Sequence, residues 1–489
     1  RQSRFTGEEE LCFRHALLRD AAYATLTEHD RAFGHRAAGA WLVAAGEQDP
    51  LVLAEHFERG GEAASAVAQY LRAAEQALAG SDLVGTSAIV DRAFASGRDG
   101  IDGETRGRLL ALEAEANAWG GDFARAEVVG LEAMSLLRPG SGPWCAAASA
   151  IVLAVGPQND VARLERTLAP LDHATPDEDG IDAYANLLVI CAVRFLTAGM
   201  QGPAAAICAR IDAERARSDH PYIVAGYAIT SGYRALLAGD HYTCLVAMRF
   251  AEEKLFELGH RRYATTAITL TGVVLTQLGA HELAEAAFAR ASHLTTSMAM
   301  RSFMPMVLHN RGLTLLRLGR LDDALAVELE ATRQTERAYP GLRRSCHNYL
   351  AKIHLAAGRL DDAAREAARA TAPDLPGARG PLAHALATEA LVAVARGEIH
   401  RAVALARRAH ALLDDIGVIS EGEPVVRLAL VEALLAAGQR AEAAVAVAHA
   451  RAALLARAAT IGEPDLARSF LEAVPEHART LAVARALVG

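Results

Sequence analysis

The residues able to do chemistry are scattered, and none meets its partners at a spacing that a reaction needs. HELAEA from His281 has the first half of a zinc-binding helix but lacks the second His that H-E-x-x-H requires. GTSAI at 85–89 is not the G-x-S-x-G turn that lifts a nucleophilic serine off a sheet. His29 and His35 suit an exposed helix face better than a ligand set, and the DED run at 177–179 reads as a solvated loop. Cys12, Cys145, Cys191, Cys208, Cys244 and Cys346 form no C-x-x-C pair and no Cys/His group with zinc spacing. They read as buried thiols in a reducing compartment. No Gly-rich phosphate loop is present, since Lys254 lies in EEKLF and Lys352 in LAKIH. The expectation is a chain with no catalytic residues, no metal and no cofactor of its own.

The totals agree with a binding protein. Apolar residues make up 52% of the 489, and aromatics only 5%. An Ala- and Leu-rich mixture of this kind suits closely packed helices, whereas sheets favour β-branched and aromatic residues. A net charge of −9 argues against a nucleic-acid partner. No apolar run reaches the roughly 18 residues of a membrane span, so a cytoplasmic protein without membrane contact is expected. The chain opens on Arg rather than Met, which fits a piece of something longer.

What positions the side chains is a repeat. LLRLGRLDDALAVELEA from Leu315 and IHLAAGRLDDAAREAARA from Ile353 share one plan: helix, Gly, polar turn, helix. The turn glycines Gly199, Gly239, Gly279, Gly319, Gly358, Gly397 and Gly438 recur about every 40 residues, with Gly121 two steps upstream and an intervening turn expected in GPQND, 156–160. Five residues after the anchors stand Ala126, Ala204, Ala284, Ala324, Ala363, Ala402 and Ala443. Twelve after stand Ala133, Ala251, Ala291, Ala331, Ala370, Ala409 and Ala450, and seven before stand Gly232, Gly272, Gly312, Ala351 and Ala390. Cys244 and Ile211 break the pattern. Small residues at helical spacing mark places where two helices cross closely. Pro203, Pro305 and Pro381 fall at helix starts, and the pairs Asp322–Asp323 and Asp361–Asp362 at second-helix N-termini, where they are expected to cap and to favour the dipole.

This combination resembles the tetratricopeptide repeat, over roughly residues 100 to 460. It departs from that family in its longer unit, about 40 residues against 34, and in lacking the usual early Trp. The resemblance implies an all-α solenoid of helical hairpins whose first helices line a concave groove. In that register the groove candidates are Tyr233, Thr266, Thr269, Gln277, His309, Arg317, Ser345, Asn348, Lys352 and His384. They make a mixed polar and cationic strip suited to an extended acidic or C-terminal peptide.

The ends resemble a second family. RQSRFTGEEELCFRHALLRDAAY reads as two short strands around a GEEE turn and then a helix, the edge of a winged-helix domain. With the DRAFGHRAAGAWL and AEHFERGGEAASAVAQYLRAAEQAL segments, it resembles the junction between a STAND-type ATPase and a helical-repeat tail in large bacterial signalling proteins. SFLEAVPEHARTLAVARAL resembles the end of members fused to a Ser/Thr kinase. The resemblance implies a parent that uses ATP and Mg outside this chain, upstream ATPase and effector domains as partners, and a possible nucleotide-sensing role for His15. Segments expected are 1–26, the end of the winged helix; 27–100, a helical junction and first hairpins; 101–460, the superhelix; and 461–489, a capping helix and tail. Function then reads as a protein- or peptide-binding sensor and scaffold arm, with a small-molecule receptor module as the alternative. An open polar groove favours the first, and an enclosed apolar pocket the second.

Overall fold

The computed structural model describes residue 5 and residues 12–97, 100–156, 160–176, 180–375 and 378–488. Its described residues are helical throughout, without a strand, and no helix is long and apolar enough to cross a membrane. The expected wing and its GEEE turn lie largely outside the described residues, as do the DED run and most of GPQND.

Three helices lead in: α1 (Ala16–Ala24), α2 (Glu28–Ala44) and α3 (Pro50–Gly60). Hairpins follow: α4 (Ala63–Ala79) with α5 (Leu83–Ser96), α6 (Gly103–Gly120) with α7 (Phe123–Leu136), α8 (Gly142–Val155) with α9 (Val161–Leu168), and α10 (Ile181–Thr197) with α11 (Gln201–Arg217). Next come α12 (Pro221–Leu237) with α13 (His241–Glu257), α14 (Arg261–Gln277) with α15 (His281–Ser297), and α16 (Met304–Arg317) with α17 (Leu321–Ala338). The last are α18 (Arg343–Ala356) with α19 (Leu360–Ala370), α20 (Arg379–Ala395) with α21 (Ile399–Ile416), and α22 (Glu423–Ala436) with α23 (Arg440–Ala458), closed by α24 (Pro464–Glu472) and α25 (Pro475–Leu487).

One turn chemistry builds the hairpins. The seven anchor glycines have φ between +70° and +80°, a region that a side chain disfavours. At Gly239 the amide donates to the Leu236 carbonyl, and that of Asp240 reaches back to Ala235. The same pair of bonds ends the first helix at Gly279, Gly319, Gly358, Gly397 and Gly438, a Schellman closure repeated down the chain. Asp122 and Asp240 then cap the next helix, accepting from the amides of Arg125 and Thr243 at 3.0 Å. The expected capping by the Asp pairs is corrected here. Arg320 and Arg359 occupy the N-cap positions, and neither helix has a side-chain cap. The Asp pairs sit one residue inside, where only the dipole favours them.

The small residues lie where helices cross. The alanines five residues after the anchors are all buried, as are those twelve after. A Cβ on Gly272 would meet the Phe288 ring at 2.8 Å, and one on Gly232 the Met248 methyl at 2.3 Å. α8 is buried on nearly every side because α6, α7 and α10 surround it, which suits its uniformly apolar sequence.

The solenoid winds so tightly that successive turns touch. Ser302, ahead of α16, bonds to the Trp119 carbonyl at the end of α6 through its amide, 3.1 Å, and its hydroxyl, 2.9 Å. Arg262 donates to the Leu78 carbonyl and pairs with Glu115 at 2.8 Å. Further on, His281 bonds the Ala473 carbonyl at 3.2 Å, and Gly279 lies against Ser469. Two consecutive rings of first helices result, one from α6 to α16 and one from α16 to α25. A Cβ on Gly279 would come within 2.4 Å of the Ser469 oxygen, whereas one on Gly319 would meet nothing. Gly319→Ala should therefore cost about 1 kcal/mol of backbone strain, and Gly279→Ala roughly 2–4 kcal/mol with displacement of α24. Urea unfolding of the two variants side by side checks this; equal losses would contradict ring closure at α24.

Candidate ligand pocket inside the superhelix

The first ring encloses a cavity of about 250 Å³. Its walls come from equivalent positions of successive first helices. Asn186, Gly226, Thr266 and Met306 stand 40 residues apart, as do Val189, Ile229 and Thr269, and Val193, Tyr233 and Val273. Within a helix, Tyr222, Gly226, Ile229 and Tyr233 have the i, i+4, i+7, i+11 spacing of one face. The repeat thus places a single stripe of each helix inward, and ring closure at Trp119 and Ser302 seals the circle.

Aromatic rings are concentrated here: Trp119, Tyr222, Tyr233, Tyr263, Phe303 and Tyr339 all line the cavity. Trp119 meets Tyr263 edge to face, with centroids 5.5 Å apart at 77°. Burial pushes the Tyr233 phenol up to about 12 and raises those of Tyr222, Tyr263 and Tyr339, so all four stay neutral at ordinary pH. Polar groups are few. The Asn186 amide donates to the Tyr263 hydroxyl at 2.7 Å, and Asn310 to the Met306 carbonyl at 2.8 Å. A mostly apolar wall with a few fixed polar groups is the usual make-up of a small-molecule site.

The second ring is filled instead. Glu476 of α25 sits between Arg317, 2.6 Å, and Lys352, 3.5 Å, with all three side chains about a tenth exposed. Burial opposes ionisation of Glu476, but the two cations outweigh it and hold the carboxyl well below its ordinary range. Nearby, Tyr349 donates to Glu421 and stacks on His309 at 4.3 Å. His384 lies 3.8 Å from Glu421, and burial lowers it to about 4.

The ten groove candidates therefore fall into two groups. Tyr233, Thr266 and Thr269 line the cavity. Arg317, Lys352, His309 and His384 belong to the filled ring, and Asn348 is buried beside Tyr349 in sequence on α18. Gln277 and Ser345 are half-buried outside the cavity wall. A continuous open cationic strip is not what the fold presents: the cations that were to meet an acidic peptide meet the chain's own Glu476. His15 is exposed at the N-cap of α1, without a side-chain cap bond. The five cysteines after Cys12 are buried, and Cys12 is exposed.

His309, Glu328 and Cys346 bring donor atoms within 4.8 Å of one another, the one such group among the described residues. Glu328 Oε1, at 2.7 Å, and Cys346 Sγ, at 3.7 Å, both address the same nitrogen, Nδ1 of His309. That arrangement suits a proton held between them rather than an ion, which would need the three donors spread around it. Burial lowers the His309 pKa, and Glu328 more than restores it, raising it well above the ordinary histidine value.

Sequence reasoning missed most of the aromatic wall and Arg194. The 40-residue register was the available signal for the rest of the wall: moving each groove position one unit upstream or downstream reaches Val193, Ile229 and Met306.

No family model matches the chain, and no curated protein does. Among solved structures, a Rap protein complexed with competence and sporulation factor is similar at 10% identity, with 70% of this chain and 99% of that one covered and a TM-score of 0.49. The Rap conjugation gene regulator of plasmid pLS20, in complex with the Phr* peptide, matches at 13% identity over 72% of this chain and 97% of its own, TM-score 0.43. Yeast Tom70 matches at 13% identity over 94% and 96%, TM-score 0.34. What the chain shares with them is an all-helical, tetratricopeptide-like repeat architecture.

Proposed function

We propose that the chain is a non-catalytic, cytoplasmic receptor module that binds a small apolar ligand inside the first ring of its superhelix. The observation that carries this reading is the aromatic lumen: six rings from a chain that is 5% aromatic, gathered around a cavity of about 250 Å³. Ligand sites commonly span roughly 300–1,000 Å³, so the occupant is small or leaves part of itself outside. Because α6 and α16 close the ring, a ligand touching both α10 and α14 favours the closed ring over an opened one. Differential affinity of that kind is how binding biases a connected domain.

The test uses the neutral dye N-phenyl-1-naphthylamine, whose fluorescence rises on leaving water. Saturable binding of one dye per chain is expected, weakened about tenfold or more when Val193→Trp fills the lumen, with thermal unfolding little changed. Binding unaffected by Val193→Trp would overturn the reading.

A second reading, a protein-binding scaffold arm, is favoured by one separate feature. Phe13, Leu17, Leu18 and Phe33 are 60–84% exposed on the α1–α2 end, and α1 buries none of its residues. A patch of this kind is where an adjoining domain or partner would dock. By the resemblance at the chain ends, that neighbour would be the ATPase of a STAND-type signalling protein, with a kinase effector beyond it. His15 lies on the same end of the molecule, two residues after Phe13 in sequence.

A further inference from the structure

Arg194 is the only charged residue among the described residues that line the lumen. It is half-buried on α10, and among the described residues no carboxylate pairs with it. The chain's other inward arginines are treated differently. Arg262 has Glu115, Arg311 has Glu285, and Arg317 has Glu476. Arg344 donates to three backbone carbonyls, those of Ala370, Ala372 and Leu375. A cation partly withdrawn from water beside apolar walls and without a carboxylate partner is costly to hold, and proteins rarely leave one so without use.

The position of Arg194 is also built. Gly156 stands where a Cβ would come within 2.9 Å of its Cδ and Nε, so the side chain lies across a place kept open by the missing side chain. The guanidinium lies near enough to two lumen phenols, Tyr233 and Tyr339, to act on both electrostatically. Both phenols are neutral and cannot balance it. No Asp or Glu is among the lining residues.

Resting on the receptor reading above, we infer that the lumen takes a small apolar monoanion, an aromatic or branched body with one carboxylate, sulfonate or phosphate group, and that Arg194 receives the anionic group. The rings supply area for the body, Asn186 and Asn310 lie on the wall beside it, and the planar fork of Arg194 matches a two-oxygen anion.

Two dyes that differ by one group test this. N-Phenyl-1-naphthylamine is neutral, and 8-anilinonaphthalene-1-sulfonate is the same skeleton with a sulfonate. The sulfonate should bind about tenfold or more tightly than the neutral dye, the scale of a hydrogen bond to a charged group. The chain's net charge of −9 works against any nonspecific preference for it. Arg194→Gln should remove the advantage while leaving the neutral dye's affinity within about twofold, and Arg194→Lys should keep part of it. Equal affinity of the two dyes for the unmodified chain, or an advantage that survives Arg194→Gln, would overturn the inference and leave the pocket reading standing. If Val193→Trp blocks neither dye, the pocket reading falls first, and the inference with it.

Discussion

Glu476→Ala should lower the stability of the chain by about 3–5 kcal/mol, the scale of breaking a buried ion pair from one side. Glu476 is the group that both Arg317 and Lys352 face, and each cation is largely removed from water. Alanine would leave two buried positive charges facing each other, with only the carboxylate of Glu421 acting on Lys352 to offset them. The cost falls on α25 first, because its attachment to the second ring runs through this carboxylate and through the buried His477 and Thr480. Denaturant unfolding measures it. The matching control removes all three charges: Glu476→Leu with Arg317→Met and Lys352→Met should recover most of the loss, since an apolar replacement of a buried ion cluster is often neutral or better. A triple variant as unstable as Glu476→Ala would show that the loss comes from shape rather than from charge.

Acid should weaken the fold well before carboxylates protonate. Burial lowers His384 and His477 to about 4, from an ordinary value near 6.5. His477 Nδ1 bonds the Phe470 carbonyl at 2.6 Å, its ring lies 4.2 Å from that of Phe470, and it is buried from water. Between pH 6.5 and 4 the unfolded chain binds protons that the folded chain refuses. Stability from these two groups is complete above 6.5 and is lost as pH falls toward 4. Each loses about 2 kcal/mol on going from pH 7 to pH 5. His309 runs the other way: Glu328 raises it, so its contribution is fullest below 6.5 and declines as pH rises. That offsets less than about 1 kcal/mol over the same interval, while His241, which burial also lowers to about 4, adds a further loss of about 2 kcal/mol, for a net loss of about 5 kcal/mol. Glu476 and Glu421 are held low and add their own losses only below about 4.5. Unfolding free energy from pH 7.5 to 4.5 should therefore fall steadily from near 6.5, and His384→Phe should flatten part of that slope. A profile flat to pH 5 would mean that both imidazoles reach water.

The repeat was legible because its requirements are local. A positive φ at Gly239 or Gly279 and a crossing too close for anything larger than Ala284 or Gly272 are conditions on single positions, repeated about every 40 residues. The inward stripe was legible in part for the same reason, and it placed Tyr233, Thr266 and Thr269 on the lumen. What the sequence left unread depends on how the solenoid curves. The contacts of Trp119 with Ser302 and of Gly279 with Ser469 join residues more than 180 positions apart, and no periodicity announces them. Once the winding is that tight, Arg317 and Lys352 cannot form an open cationic strip, because α25 has come round to face them. The same winding turns a groove into a ringed pocket and leaves Arg194 half-buried among the rings of its wall. The Asp pairs were misread for a smaller reason: the helices begin one residue earlier than the pairs, which puts Arg320 and Arg359 at the cap.

The central claim is that the first ring, and not the exposed apolar end of α1 and α2, is where a small ligand binds. A crystal structure of the chain grown with N-phenyl-1-naphthylamine tests it most directly. Density for the dye among Tyr222, Tyr233, Tyr263 and Phe303, with the α6–α16 closure intact, is the predicted result. An empty lumen with the dye lying against Leu17 and Phe33 would contradict it.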